Sequence, residues 1–177
     1  MSTIWEALRQ GRILEDELII DCHTHMGPWY NFNVPGDPWA KGMIQAMDTC
    51  GIRKVICMPH VAIATDYRWG NRIIEDAIDQ HPTRFAGYCT VNPNYPAAEI
   101  EAELERSITH GPLCAIKFHP GTHAYPVDGP GYAPAWAFAQ EHGLPLLSHT
   151  WGNDRFCNPM MFVKLGKQYP NVPITLG

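Results

Sequence analysis

LCAIKFHPGTHAYPVDGPGYAPAWAFAQEHGLPLLSHT, residues 113–150, sets an apolar run, a helix-like segment and a second apolar run one after another. The first run, LCAIKFHP at 113–120, and the second, LPLLSHT at 144–150, are continuously apolar instead of alternating. That is the pattern of strands covered on both faces, as in a parallel sheet. A helix is expected between them at 132–142, stopped by Gly143, because glycine readily takes the left-handed backbone that follows many helix ends.

Working outward, the same unit recurs. Further strands are expected at 18–25 (LIIDCHTH), 53–60 (RKVICMPH), 84–92 (RFAGYCTVN) and 172–177 (VPITLG), with helices at 38–50, 70–80, 96–110 and 158–169. Gly51, His81-Pro82, Gly111-Pro112 and Pro170 end those helices. The helix at 96–110 opens with proline and acids and spaces Ile100, Leu104 and Ile108 four apart, which gives one buried stripe. Repeated βα units around a parallel sheet make this an α/β chain, and one domain over 1–177 suffices. The last strand runs into Gly177 with no helix to cover it, so the architecture reads as the first part of a longer one.

Composition removes several classes of function. With 45% hydrophobic and 18% charged residues, the 177-residue chain can bury a sizeable core. A net charge of −5, a pI near 5.9 and the absence of any Lys/Arg-rich run argue against a nucleic-acid partner. Glu6, Arg9, Arg12 and Glu15 interrupt the N-terminal apolar residues, so no signal peptide is expected, and no stretch would span a bilayer. A cytoplasmic protein is the expectation. Cys22, Cys50, Cys57, Cys89, Cys114 and Cys157 are scattered without a CxxC pair and read as small buried thiols.

Chemistry is concentrated in the histidines. Of nine, His81, His110 and His142 end helices, where an imidazole can meet the last carbonyls. His23, His25, His60, His119, His123 and His149 fall at or just beyond the C-terminal ends of four strands, the rim on which barrel enzymes build their sites. His23 and His25 stand two apart on one strand, roughly 6.5 to 7 Å along it, so their imidazoles can converge on one metal. Asp21 shares that face, either orienting a histidine or capping the strand. Lys117 shares strand parity with His119 and should point inward, as a base, a carbon-dioxide adduct, a carboxylate clamp, or one half of an ion pair across the barrel. His60, His119 and Trp151 are candidate substrate contacts, and Trp29, Tyr30, Trp69, Tyr125 and Phe156 also follow strand ends.

IIDCHTHMG, TVNPNYP, IKFHP, LPLLSHT and PNVPITLG, in that order and spacing, resemble the amidohydrolase-related family that includes aminocarboxymuconate-semialdehyde decarboxylase and resorcylate-type decarboxylases. The resemblance covers nearly everything after about residue 15. It implies a (β/α)8 TIM barrel, of which about five βα units and a sixth strand are present, and one divalent metal, zinc or alternatively manganese. His23, His25 and His149 match its first three metal ligands. The general acid/base on strand six and an aspartate ligand on strand eight are expected beyond Gly177, so independent catalysis is not expected of these residues alone.

The implied activity is hydrolysis by a metal-activated water on a small carboxylated, cyclic or aromatic substrate. Three alternatives stand beside it: decarboxylation at the same metal, a non-catalytic binding or assembly protein, and a half-barrel completed by a partner. A small molecule is the expected partner, and a homo-oligomer of the full-length protein is compatible with the reading.

Overall fold

The computed structural model describes residues 4–14 and 16–177. After a short helix α1 (Ile4–Arg9), six strands appear: β1 (Ile20–Met26), β2 (Lys54–Pro59), β3 (Phe85–Thr90), β4 (Ala115–Phe118), β5 (Leu146–Ser148) and β6 (Ile174–Leu176). They are hydrogen-bonded in sequence order and every pair is parallel. The connecting helices are α2 (Ala40–Cys50), α3 (His60–Ala64), α4 (Tyr67–Gln80), α5 (Ala97–Leu104), α6 (Pro120–His123), α7 (Ala133–His142) and α8 (Met161–Gln168). Order, parallel pairing and curl make this five βα units and a sixth strand of a TIM-type (β/α) barrel.

Strand alternation separates two cores. Val55, Cys57, Phe85, Cys89, Ile116, Phe118 and Leu146 face the helices and pack with Ile74, Ile100, Leu104, Trp136 and Phe162. The intervening positions Met58, Tyr88, Ala115 and Leu147 face inward and pack with Ile63 and Trp29. Burial on both faces is why these runs carry no polar alternation. Lys117, between Ile116 and Phe118 on β4, is therefore directed into the inner layer.

Helix boundaries follow local chemistry. Gly51 and Gly143 stop α2 and α7 with φ of 72° and 62°. The stripe expected at 96–110 is present, with Ile100 and Leu104 fully buried and Ile108 partly so, but its last turn, Glu105–Thr109, is a π-helix. Two short helices, α3 and α6, stand where loops are expected after β2 and β4; at five and four residues they are too short to show a period. The thiols divide: Cys57, Cys89 and Cys157 are buried, whereas Cys22, Cys50 and Cys114 are exposed, contrary to the expectation of uniformly buried cysteines. Among the described residues no helix is long and apolar enough to cross a membrane.

Candidate active site

Parallel strands put all their C-terminal ends at one rim, and the rim gathers the expected residues. His23 and His25 lie on β1, Lys117 lies on β4, His60 begins α3 directly after β2, and His119 and His149 directly follow β4 and β5. The register of β1 against β2 shifts between Asp21 and Thr24, so simple alternation does not carry Asp21 along with His23 and His25. Of the two roles open to Asp21, the structure shows the local one: its Oδ1 accepts the His23 backbone N–H at 3.0 Å.

The imidazoles meet in ordered contacts. His25 stacks on His60 with ring centroids 4.7 Å apart, and His119 stacks on His149 at 4.2 Å. His23 and His25 are 5.4 Å apart and tilted. Trp29 lies 4.8 Å from His60 and 6.5 Å from His119, and so bridges the two stacks. Trp151 stacks at 6.4 Å from His149 but is 65% exposed, at the outer edge of the site. His60 Nδ1 lies 2.8 Å from the Gly27 carbonyl and must carry the proton that this bond needs.

Lys117 is fully buried, with Nζ 3.1 Å from His23 Nε2. Among the described residues no carboxylate pairs with it. Burial pulls its pKa down to about 7. Burial also lowers His25 to about 2 and His119 to about 3, with nearby Lys117 acting in the same direction on both. His23, His60 and His149 are lowered too, again first by burial. These rings are therefore neutral at pH 7, the form in which imidazole ligates metals.

Among the described residues, three of the four buried polar side-chain atoms without a hydrogen-bond partner belong to this rim: His25 Nδ1, His119 Nδ1 and Thr90 Oγ1. Buried groups of this kind are rare and call for an explanation. By contrast His123, the sixth histidine expected at the rim, is satisfied on both sides. Its Nε2–H donates to the Ile63 carbonyl at 3.0 Å, so its Nδ1 accepts from the Tyr132 hydroxyl at 2.8 Å. It is a structural cross-link between α3 and α6.

Two participants escaped the reading of the sequence. Gly177 brings the end of β6 against His23, where a Cβ would lie 2.6 Å from ring atoms, so a larger residue would push the His23 ring aside. Thr90 was legible only as part of the TVNPNYP motif; strand parity would have placed it inward, two residues beyond Tyr88. His23, His25 and His149 share the rim, yet among the described residues no three or more His, Cys, Asp or Glu side chains are close enough together to hold a metal ion.

A family model described as amidohydrolase matches residues 20–177. The chain belongs to the amidohydrolase family. Members of this family include hydrolases and decarboxylases and generally use divalent metals. No curated protein matches the sequence. Among solved structures, this amidohydrolase-family chain is similar to an uncharacterised TIM-barrel protein from Bordetella bronchiseptica, with TM-score 0.66, 16% identity, and coverage of 88% of this chain and 66% of that one. It is similar to 4-oxalomesaconate hydratase from Rhodopseudomonas palustris, with TM-score 0.64, 16% identity, and coverage of 90% and 62%. It is also similar to 2,6-dihydroxybenzoate decarboxylase from Rhizobium, with TM-score 0.65, 18% identity, and coverage of 91% and 66%. The chain thus spans slightly under two thirds of these relatives' length, and identities this low speak for the fold alone.

Proposed function

We propose that this amidohydrolase-family chain carries the ligand side of a metal-dependent hydrolase acting on a small carboxylated, cyclic or aromatic substrate, with His23, His25 and His149 holding one divalent metal, zinc or alternatively manganese. The observation that supports this most directly is the set of neutral imidazoles on neighbouring strand ends beside a buried lysine. The donor set fits the metal in its chemistry: three nitrogen ligands already deprotonated by burial, one of them with an unpartnered buried nitrogen. The three must draw together to share a metal, and His23 Nε2 must leave Lys117.

When bound, the metal supplies Lewis acidity and a nucleophilic water near neutral pH. The protein's own residues do the rest. Lys117, with a pKa of about 7, takes up or gives a proton at Nζ around neutrality. His60, fixed through Nδ1 to Gly27, and His119, with Nδ1 unpartnered, are left to hydrogen-bond a substrate. Trp29 packs beside both, while Trp151 contributes an exposed edge. Six unpaired cysteines support a reducing, cytoplasmic location.

Metal analysis by mass spectrometry tests the ligand assignment. The purified protein is expected to hold roughly one zinc per chain and His23→Ala to lose most of it, since two imidazoles fall short of the usual ligand count. Unchanged metal in His23→Ala would falsify the assignment. A decarboxylase is the second reading, supported by a fully buried Lys117 that meets no carboxylate among the described residues; carbon dioxide released in step with substrate loss distinguishes it from hydrolysis.

A further inference from the structure

The TVNPNYP segment ends β3 with a threonine that the proposed chemistry does not use. Thr90 is fully buried, and its backbone is gripped from the helix side by Asn71. The Thr90 N–H donates to Asn71 Oδ1 at 2.9 Å, and Asn71 Nδ2 donates to the Thr90 carbonyl at 3.0 Å. Asn71 also donates to Glu103 at 2.9 Å, and Arg106 links Glu103 to Glu75. This cluster fixes the Thr90 backbone from outside the sheet. Its hydroxyl is left on the other face, without a partner.

That face is the inside of the barrel. Tyr88 and Ala115 are register partners and both belong to the inner layer; two residues further along, Thr90 and Lys117 are register partners in turn. Neighbouring positions on one face of a pair lie close enough for their side chains to act on one group. Lys117 offers up to three N–H donors and spends one contact on His23. A buried amine with donors to spare beyond its His23 contact, beside a buried hydroxyl without a partner among the described residues, is what a bound oxyanion would satisfy.

We propose that Thr90 Oγ1 and Lys117 Nζ form a two-point subsite inside the barrel that binds a carboxylate group of the ligand, with Thr90 as a specificity-determining residue. The inference rests on reading the rim as an active site, but it does not require the metal.

Calorimetric titration of benzoate into the full chain tests it, with wild type, Thr90→Val and Thr90→Ser compared and zinc determined on the same samples. Thr90→Val preserves shape and removes the hydroxyl, so the benzoate Kd should rise roughly five- to tenfold, while Thr90→Ser stays within about twofold of wild type. The Tm of Thr90→Val should equal or exceed that of wild type, since no protein hydrogen bond is lost; a merely structural hydroxyl would show the reverse. Equal benzoate affinity in wild type and Thr90→Val, or no benzoate binding by wild type, overturns the subsite. Retained zinc in His23→Ala alongside weakened benzoate in Thr90→Val would remove the metal assignment and leave the subsite standing, so the two failures are separable.

Discussion

Burying a lysine without a carboxylate is costly, and Lys117 shows how a fold tolerates it. Its alkyl stem lies between β3 and β5 in an apolar layer, and among the described residues its amino group meets the neutral His23 ring and no carboxylate. With the folded pKa near 7 and the ordinary value at 10.5, the unfolded chain binds the proton more tightly. The penalty is therefore complete below about pH 7 and fades as pH rises toward 10.5. Lys117→Met, which keeps the length and discards the charge, is expected to raise stability at pH 7 by about 1–3 kcal/mol after the lost His23 contact is allowed for. Urea unfolding of both proteins checks this, and a less stable variant would show that the amine is structural. Strand parity made the inward direction of Lys117 readable; the absence of a carboxylate depends on residues distant in sequence.

At the scale of elements, α5 and β1 contrast. The period of Ile100, Leu104 and Ile108 is a local property, and the structure buries that stripe against α7 and the sheet. Leu104→Ala should cost about 2–5 kcal/mol as a cavity in a fully packed layer, whereas exposed Glu101→Ala should change stability by less than about 0.5 kcal/mol. Equal effects in thermal unfolding would mean that the stripe is not packed as observed. The irregular register of β1 could not be read locally, because a bulge is defined by the partner strand. Likewise α3 and α6 are single turns held by tertiary contacts such as His123 to Ile63, not by propensity.

The whole molecule is built around imidazoles that must stay uncharged. His25, His119 and His123 have folded pKa values of about 2, 3 and 4 against 6.5 when unfolded, in each case first because of burial. Their depressed values mean that folding suffers no penalty from them above about pH 6.5 and loses stability progressively as pH falls from there toward 4. Unfolding free energy measured by urea denaturation from pH 7.5 to 4 should drop steeply below pH 6.5, and His123→Gln should make the slope shallower by about 1.4 kcal/mol per pH unit. A flat profile would contradict neutral burial of these rings. The sequence by itself determined the βα repeat, the parallel sheet, the helix stops at Gly51 and Gly143, and the rim on which the histidines sit, because periodicity and glycine chemistry act within a few residues. Only the tertiary structure decided that His123 is a cross-link, that Lys117 meets no carboxylate among the described residues, that Thr90 points an unpaired hydroxyl inward and that Gly177 lies against His23. Each of those depends on which strands become neighbours and how deeply they bury a polar group, and burial is a property of the packed sheet.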